Sequence, residues 1–464
     1  MSDIVKIKKG VDIPLIGHAK KERIEERVVA EYAVKPTDFI GVVPKMLVAE
    51  GDVVKAGTPL FYDKNNESAR FTAPVSGTVK AIVRGAKRAI QAVVVASDGK
   101  YESLPFEKND AEHLDRQQII DAMVNSGLWT MMRQRPFGTI ANVADTPKAI
   151  FVSCFDSSPL AADYDFALHG REVFFTNGIA LLAKLSGGKL HLGFRKGQKL
   201  AQCKFPQNVE VHYFEGPHPA GNVGTQIAAI DPINKGEVVW VTTPEVVSNL
   251  GRLFTTGEYR PERCIAFAGP KAAHPRYYHT ISGVLVSDMC EEQEIDAATT
   301  RLISGNVLSG TKISTDGYLG AFDSQLCAIP EGDYYDFMGW LAPGFKKFSL
   351  QRTFFSGFLA FIGHRDNDSV DAGRDTLYNM DTNYHGSPRP LVLTGNFEKV
   401  FPFKIYPLQL IKAAIIGDID LMENLGIYEV EPEDFALCEF MDPSKTEIQT
   451  IIRHALETIR KEAM

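Results

Sequence analysis

Short β-rich runs separated by glycine and proline turns fill the N-terminal region and restrict what it can fold into. The turns fall at Gly51, Gly57, Pro74 and Gly77, within the stretch 28–97. Glycine permits tight turns that a Cβ atom would strain, and proline presets the backbone of a turn. Because the runs between these turns are short and rich in β-branched residues, the pattern predicts a small barrel of short strands.

This turn pattern resembles that of lipoyl- and biotinyl-carrier domains, with the similarity lying in residues 51–64 and 73–79. In such carriers a lysine at a hairpin tip takes the swinging cofactor, and Lys64 lies near that tip. The stretch 65–70 is longer than the carrier hairpin allows, so we expect Lys64 to stay unmodified. The barrel is then structural or used for docking, because folds are reused without their chemistry. A lipoyl- or biotinyl-carrying acyltransferase is the alternative that the barrel alone suggests.

The length of 464 residues exceeds what one hydrophobic core supports, so a multidomain α/β chain is expected. The four predicted parts are residues 1–110 with the barrel, 111–255 with a Rossmann-like α/β sheet, 256–335 with a compact β-rich module, and 336–464 with C-terminal helices. Asp115 is predicted to cap a helix that continues to Pro136 and opens the second part.

Apolar strands alternate with helical patterns in the second part, which is typical of a mostly parallel sheet covered by helices. The predicted elements are strands at Ala149–Val152, Val173–Phe175, Leu190–Leu192 and Val238–Thr242, and helices at Gly178–Leu185 and Pro244–Leu253. Near the end of the chain, Ser444 and Glu447 predict a capping box before a helix with one apolar face.

Patterns that bind nucleotides, metals or clusters are missing from the sequence. No Gly-x-Gly-x-x-Gly follows a strand and no Gly-x-x-x-x-Gly-Lys-Ser/Thr occurs, so we expect no dinucleotide on the sheet. The glycine-rich stretch 216–225 contains two prolines, which remove amide donors from an anion cradle. The six cysteines include no pair with the two-residue gap of metal sites, so we expect no metal or cluster.

Charge and hydropathy indicate which partners and which compartment suit the chain. A net charge of −8 argues against nucleic acid as a partner. The longest apolar stretches, such as Phe354–Ile362 and Ile411–Ile416, are shorter than the ~18 residues that span a bilayer. The basic start of the chain is not followed by the apolar run of a secretory signal. We therefore expect a soluble cytoplasmic chain. Nine carboxylates and no lysine or arginine lie within Asp418–Asp442, which indicates either a solvated acidic face or a docking surface for a basic partner.

Distinctive motifs are spread over nearly the whole chain. Besides the barrel segment they are Ile7–Pro14, Ser126–Thr130, Arg135–Phe137, Gly216–Gly221, Ile303–Gly310, Pro343–Ser349 and Glu433–Cys438. Together they resemble the A subunits of the sodium-translocating NADH:quinone oxidoreductases. That family is similar to the C subunit of Rnf complexes and to the NADH-binding flavoprotein subunit of respiratory complex I, but has lost their flavin and cluster. The resemblance implies a carrier-like barrel, a Rossmann-like sheet, a ubiquitin-like β-grasp module and a helical C-terminal domain.

The same resemblance implies a peripheral subunit on the cytoplasmic side of the bacterial inner membrane, docked on the other subunits and especially on the B subunit in the membrane. The complex couples electron transfer from NADH to quinone with sodium export. NADH, flavins and iron–sulfur clusters would belong to the other subunits, ubiquinone or menaquinone would be the ligand, and the isolated chain would not be catalytic.

Quinone-proximal surface is implied by the resemblance at two segments of the chain. The residues concerned are Phe39, Met46, Trp129, Arg133, Arg135 and Phe137. A quinone headgroup needs apolar walls and one or two donors for its carbonyls. Trp129 and Phe137 would supply walls, and the two arginines would supply donors. Ordinary packing and surface charge are the competing interpretation for each residue.

Two departures from the family pattern limit the resemblance. The family usually reads Phe-x-Cys-Pro-Gly-Lys where this chain has Phe440–Lys445, which lacks that cysteine and so excludes even a vestigial cluster loop. The segment Gln226–Ala229 stands where the family often has two histidines after Gly-Thr. The similarity to the complex I flavoprotein leaves one further alternative, an autonomous flavin-dependent NADH dehydrogenase.

Overall fold

The computed structural model describes residues 4–22, 29–339, 341–345, 347–348, 354–355, 371–372 and 375–463. Residues 356–362 of the predicted apolar stretch, and parts of the 343–349 motif, lie outside the described residues. Within the described ranges, no helix combines the length and the apolar character needed to cross a membrane. All six cysteines lie in these ranges and none is in a disulfide.

The N-terminal domain is a barrel of short strands, as the turn pattern predicts. Strand β1 (Ile4–Lys6) precedes the barrel and pairs with a strand of the next domain. The barrel strands are β2 (Glu31–Val34), β3 (Pro44–Met46), β4 (Val53–Val54), β5 (Pro59–Asp63), β6 (Asn66–Thr72), β7 (Gly77–Arg84) and β8 (Ile90–Ser97). They form two sheets, ordered β2-β8-β7-β4 and β3-β5-β6. Leu60, Phe61 and Val93 are fully buried in the core between them.

The hairpin between β5 and β6 is shorter than expected. Only Lys64 and Asn65 separate the two strands, so the prediction of a long loop over 65–70 is wrong. Ala69 and Phe71 point into the core while the residue between them faces outward, which is the two-residue period of a strand. Lys64 is exposed at the hairpin tip.

Helix α1 (Arg116–Ser126) opens the second domain. Its predicted N-cap is confirmed, because the Asp115 side chain accepts from the Gln118 amide and the Asp115 amide donates back to the Gln118 side chain. The prediction that the helix runs to Pro136 is wrong. Gly127 ends it in a left-handed conformation with φ 83°, and a 3-10 turn then spans Leu128–Met131.

A seven-stranded sheet forms the centre of the second domain. Its other strands are β9 (Arg133–Arg135), β10 (Thr139–Ile140), β11 (Ala149–Ser153), β12 (Lys189–Arg195), β13 (Val209–Glu215) and β14 (Val239–Thr242). The order is β1-β13-β12-β11-β14-β9-β10, in which the first five strands are parallel, β9 is antiparallel to β14, and β10 is antiparallel to β9. This is the predicted helix-covered, mostly parallel sheet.

Four further helices follow α1 in this domain. They are α2 (Tyr164–Ala167), α3 (Glu172–Leu182), α4 (Val223–Ile230) and α5 (Pro244–Thr256). The strand predicted at Val173–Phe175 is instead part of α3. Phe175, Ile179 and Leu182 are buried at helical spacing along α3, and this period overrides the local β-propensity of Val173.

The third domain is a β-grasp module. Its elements are β15 (Glu262–Ala268), β16 (Arg276–Ile281), α6 (Val286–Cys290), β17 (Thr300–Ser304), β18 (Thr311–Ile313) and β19 (Gln325–Pro330). The order is β16-β15-β19-β17-β18, with β15 and β19 parallel and the other pairs antiparallel. The compact β-rich module that the sequence predicts for the third part is therefore confirmed.

The C-terminal domain is mainly helical. Its described elements are β20 (Asp371–Ala372), β21 (Asp375–Thr376), α7 (Phe397–Val400), α8 (Pro407–Ile416), α9 (Ile419–Asn424), α10 (Ala436–Met441) and α11 (Ile448–Ala463). Ile448, Ile452, Leu456 and Ile459 form the buried stripe of α11.

The predicted Ser444 capping box is wrong in its residues. Helix α11 begins at Ile448, and the amide of Gln449 donates to Glu439 Oε2 at 2.7 Å. A carboxylate from the preceding helix α10 therefore satisfies this orphan donor.

Candidate functional site

An apolar cleft lies where the barrel, the sheet domain and the β-grasp module meet. Its cavity volume is about 60 Å³. The apolar side chains on its walls are Phe39, Phe71, Leu128, Met131, Val246 and Leu319. The ring of Phe39 lies edge-on to Phe71, with centroids 4.8 Å apart, and edge-on to Phe322 at 5.2 Å. Phe39 is thus the central wall of the cleft.

The turn that presents Phe39 is fixed to the β-grasp module. A 3-10 turn, Pro36–Asp38, immediately precedes the phenylalanine. Asp38 Oδ2 accepts from the amide of Ala321 at 2.9 Å, and Lys35 Nζ donates to the carbonyl oxygen of Tyr318 at 2.8 Å. Burial raises the pKa of Asp38, and the neighbouring Lys35 only partly offsets this rise. These two contacts join two domains at the edge of the cleft.

Most polar groups on the cleft walls are already occupied. Arg263 Nε donates to Glu245 at 2.8 Å, while its two terminal nitrogens donate to the carbonyl oxygens of Ala321 and Asp323. The ammonium of Lys35 has three N–H donors, and its acceptors among the described residues are Tyr318 and Asp38, the latter at 3.2 Å. One donor of Lys35 therefore remains for the carbonyl of a ligand.

A second, polar cleft lies between the sheet domain, the β-grasp module and the C-terminal helices. Its volume is about 340 Å³. The charged side chains on its walls are Arg133, Arg135, Asp156, Asp323, Glu431, Glu433 and Arg453. Both cations and carboxylates line the cleft, and two of its arginines pair with its carboxylates, so it does not favour a ligand of one charge.

Arg135 is the centre of these ion pairs. Its buried guanidinium contacts Glu433 Oε1 at 2.5 Å and Asp434 Oδ2 at 3.2 Å. Burial opposes the charged guanidinium, but the carboxylates around it keep the pKa of Arg135 raised. Arg453 pairs with Glu431 at 2.6 Å and also donates to the carbonyl oxygen of Phe137 at 2.9 Å. These contacts fix the segment after α1 to the C-terminal helices.

The acidic stretch 418–442 therefore has an internal role in part. Glu431, Glu433 and Asp434 bind arginines of the same chain. The sequence suggested either a solvated face or a docking surface for a basic partner. Neither interpretation included ion pairs between domains of the same chain.

The six predicted quinone-proximal residues do not lie in one place. Phe39 lines the apolar cleft, whereas Arg133 and Arg135 line the polar one. The guanidinium of Arg133 lies over the ring of Phe322 at 4.7 Å. Since Phe322 also touches Phe39, its ring separates the two clefts.

The other three predicted residues, all described, line neither cleft. Trp129 is fully buried, donates from Nε1 to the carbonyl oxygen of Ala141 at 2.8 Å, and packs edge-on against Trp240 at 5.3 Å. Met46 is half-buried against the core shared by the barrel, and Phe137 packs edge-on against Tyr428. Their contacts are those of packing residues.

A third cavity, about 850 Å³, lies at the carboxyl ends of β11, β12 and β13, where open α/β sheets commonly bind ligands. The charged residues lining it are the acids Asp12, Asp156, Asp163, Asp165 and Glu215 and the bases Lys21, Arg195 and Lys196. This acidic excess disfavours phosphate groups.

The glycine-rich loop beside this cavity binds other parts of the chain. The amide of His218 donates to Asp12 Oδ1 at 2.9 Å, and the amide of Gly221 donates to Ser157 Oγ at 2.8 Å. Ser157 Oγ also bonds His218 Nδ1 at 3.0 Å. These amide donors, which a phosphate cradle would need, are therefore already used.

Comparisons with known proteins match this architecture. The family model described as the NqrA N-terminal barrel-sandwich hybrid domain matches residues 5–98, the NqrA second alpha/beta domain matches 114–259, and the NQRA C-terminal domain matches 264–315. The A subunit of the Na(+)-translocating NADH-quinone reductase of Histophilus somni strain 2336 is 38% identical over 463 residues, which cover 99% of this chain and 100% of that protein. The chain belongs to this family of A subunits.

Other members of the A-subunit family show the same relationship. The A subunits from Haemophilus influenzae strain PittEE and Pasteurella multocida strain Pm70 are each 38% identical, again over 99% of this chain and 100% of theirs. Among solved structures, NAD+-reducing [NiFe]-hydrogenase in the air-oxidized state is 15% identical, with a TM-score of 0.36 over 48% of this chain and 47% of the other. A likeness this weak carries no inference.

One departure from the A-subunit pattern has a structural explanation. Gln226 stands in the segment where the family often has histidines. It is buried, and its Nε2 donates to Ser153 Oγ at 2.8 Å and to the carbonyl oxygen of Ala220 at 3.3 Å. In this chain the position therefore ties helix α4 to the end of β11.

Two residues beside the apolar cleft were missed by sequence reasoning. Lys35 carries the unused donor, and Phe322 separates the two clefts. The Lys35-Pro-Thr-Asp38 spacing, with opposite charges three residues apart at a proline turn, was a usable signal for the first. Phe322 lies in a β-grasp loop, and sequence spacing gives no sign that this loop meets the barrel.

Proposed function

We propose that this chain is the cofactor-free A subunit of a sodium-translocating NADH:quinone reductase and contributes one wall of its quinone site. The observation that carries the proposal is the composition of the apolar cleft. Phe39, from one segment that the family resemblance places near quinone, meets Leu128 and Met131 beside the other segment. Apolar walls with a few polar groups are typical of small-molecule sites.

Lys35 completes the proposed wall. Its side chain lines the cleft, and one of its three N–H donors has no acceptor among the described residues. A quinone carbonyl needs one such hydrogen bond. Arg263 is unsuited to this role because its guanidinium is already bound to Glu245 and two carbonyl oxygens. We therefore assign the hydrogen-bond donor for the quinone carbonyl to Lys35, in place of Arg133 and Arg135.

The size of the cleft indicates a shared site. A volume of about 60 Å³ is well below the ~300 Å³ or more of pockets that enclose a whole small ligand. The cleft receives part of a ubiquinone or menaquinone headgroup, and another polypeptide of the complex supplies the remaining surface. We assign that surface to the membrane-embedded B subunit, with this chain docked peripherally on the cytoplasmic side of the bacterial inner membrane.

The redox cofactors are assigned to the other subunits. The cavity at the end of the parallel sheet has an acidic lining, and its glycine-rich loop has amides engaged, which supports the absence of NADH and flavin from this chain. The scattered cysteines support the absence of an iron–sulfur cluster. In this proposal the chain shapes a site and docks, while electrons pass elsewhere.

The experiment compares Phe39→Leu, Lys35→Met and Phe397→Leu in the assembled complex. Phe397 is a similarly buried phenylalanine in the C-terminal helical core and serves as the matched control. Phe39→Leu and Lys35→Met are expected to raise the quinone KM or weaken quinone-site inhibition, with a loss of about 1–2 kcal/mol that gives a roughly 5- to 30-fold change. NADH-to-flavin electron transfer should remain normal in all three.

Subunit content must be measured beside these kinetics, because a poorly assembled complex also loses activity. Normal assembly with an unchanged quinone KM and inhibitor response in both cleft variants would remove the quinone role of the cleft. An equal KM change in Phe397→Leu would show a general packing effect instead.

A second candidate function comes from Lys64. Its place at the tip of a two-residue hairpin is that of the modified lysine in lipoyl and biotinyl carriers, and the length argument against it has failed. Intact-mass measurement of the chain from its native host separates the two. An unmodified mass favours a structural barrel, whereas a lipoyl or biotinyl addition on Lys64 would establish a carrier.

A further inference from the structure

His191, Glu210 and His212 form a cluster on the central sheet. His191 lies on β12, directly opposite Glu210 on the parallel strand β13. Glu210 and His212 are two residues apart on that strand, so their side chains share one face. None of these described residues lines the three cavities above. The cluster is thus a separate feature from the proposed quinone wall.

The three ligand atoms of the cluster converge on one point. His191 Nδ1 and His212 Nε2 are 2.9 Å apart, and Glu210 Oε2 is 3.5 Å from the first nitrogen and 3.7 Å from the second. A circle through three atoms with these separations has a radius of about 2.0 Å, which equals the usual Zn–N and Zn–O bond length of ~2.0–2.2 Å. An ion at or just above its centre reaches all three atoms without backbone movement.

Neighbouring groups hold the ligands in this orientation. The ring of Phe151 stacks on His191 with centroids 4.5 Å apart. Lys189 binds Glu210 through Oε1, which leaves Oε2 facing the two imidazoles. Such outer contacts fix ring and carboxylate positions in metal sites.

The imidazoles are in the protonation state that a metal needs. Burial lowers the pKa of His191 to about 4, and it also lowers the pKa of His212. Both rings are therefore neutral near pH 7, and each has one nitrogen lone pair to offer. In the hydrogen bond that now joins them, one of the two ligand nitrogens carries the proton, so that ring takes its other tautomer, with the proton on its other nitrogen, when an ion binds.

We propose that His191, Glu210 and His212 bind a divalent transition-metal ion, with solvent as its fourth ligand. Side chains of His212 and Glu210 are 20% and 38% exposed, which gives the ion a path from water. Imidazole and carboxylate together select Zn²⁺, Co²⁺ or Ni²⁺ over Ca²⁺ and Mg²⁺. The expectation of no metal was argued from cysteine spacing, and that spacing does not bear on a site of histidines and a carboxylate.

The ion would join β12 to β13 through their side chains, at a point where the two imidazoles now share a single hydrogen bond. The proximity of Lys189 is the main opposing factor, because its ammonium competes with a cation for Glu210. Its side chain is 63% exposed, so it is able to move away when an ion binds. Removing this charge should strengthen metal binding.

The test uses the purified full-length chain without a polyhistidine tag, titrated with Co²⁺ and with Zn²⁺. We expect about one ion per chain, with the intense visible absorption of four-coordinate Co²⁺ and a rise in thermal stability on adding Zn²⁺. His212→Ala and Glu210→Gln, both at partly exposed positions, should abolish the stoichiometric ion. His169→Ala, at an exposed histidine outside the cluster, is the matched control and should keep it.

Lys189→Met keeps the proposal testable if either ligand variant folds poorly. It leaves all three ligands in place, and it should bind Co²⁺ more tightly than the unaltered chain. Failure of the folded, unaltered chain to bind Co²⁺ or Zn²⁺ at micromolar concentrations would overturn the proposal. Retention of the ion by folded His212→Ala and Glu210→Gln would overturn it equally. Neither result affects the quinone proposal, whose readout is the kinetics of the assembled complex.

Discussion

Replacing Arg135 by methionine tests whether the polar cleft is structural. The change removes a guanidinium that is buried among Asp434, Glu433 and Glu431 and keeps most of the side-chain length. The side chain of Asp434 is fully buried, and its remaining described partner is the amide of Glu431 at 2.9 Å. Leaving one buried charge unpaired costs up to about 3–5 kcal/mol, and Asp434, whose pKa burial raises to about 7, limits this cost near neutral pH by taking up a proton. We therefore expect a large loss of stability, concentrated in the docking of the C-terminal helices.

Urea unfolding followed by tryptophan fluorescence measures this loss. Trp129 and Trp240 are buried in the sheet domain next to the cleft, and a Trp340→Phe background removes the indole that lies outside the described residues. Arg135→Met with Asp434→Asn should cost less than the two single changes added together, because the double variant removes both members of the buried pair.

The outcome in the assembled complex separates packing from ligand binding. At equal subunit content, Arg135→Met should leave the quinone KM unchanged, since the ion pairs of Arg135 occupy its guanidinium. An unchanged unfolding free energy would refute the structural role of this ion pair. A raised quinone KM with normal stability would restore Arg135 to the quinone site.

Three further predictions concern other parts of the chain. The isolated chain should be colourless by visible absorption and should not oxidise NADH, and a stoichiometric flavin spectrum would instead indicate an autonomous dehydrogenase. The pKa of Glu331 is lowered to about 2, first by its bond to Arg301, so its contribution to stability is full above its unfolded pKa and is lost as the pH falls towards 2. Glu331→Gln should remove that part of the acid dependence in unfolding titrations and cost at most about 1 kcal/mol near pH 7, because the group is near the surface. Gly127→Ala should lower the free energy of unfolding in urea by roughly 1–3 kcal/mol. The backbone φ of Gly127 is 83°, and a new Cβ would lie 2.4 Å from Thr72 Oγ1. An unchanged free energy of unfolding would show that the end of α1 relaxes freely.

Much of the fold was predictable because its signals are local. The glycine turns of the barrel and the Asp115 cap both act within a few residues. The errors arose where a tertiary contact decided the outcome. The segment 173–175 became helical because every third or fourth side chain of α3 faces the core, and most of 65–70 became a strand because alternate side chains of β6 enter the barrel.

The candidate site was predictable only in part, because it is made by contacts between domains. Family resemblance placed Phe39 and the segment from Trp129 to Phe137 near quinone, and the structure brings Phe39 to one cleft with Leu128 and Met131. The arginines were assigned as donors because a charged side chain beside aromatic residues is ambiguous in sequence. Their carboxylate partners are far along the chain, as the separation of 299 residues between Arg135 and Asp434 shows.

The histidine cluster was also not predictable from the sequence, because it depends on the register of the sheet. Glu210 and His212 alternate on one strand, and this spacing alone already places both side chains on one face. A third ligand depends on which strand is the neighbour and on which residue stands opposite. Parallel pairing of β12 with β13 sets His191 against Glu210, and a slip of one residue would turn His191 to the other face of the sheet. Because parallel register is set by the packing of the whole sheet, a ligand set of this kind emerges only once the strands are paired.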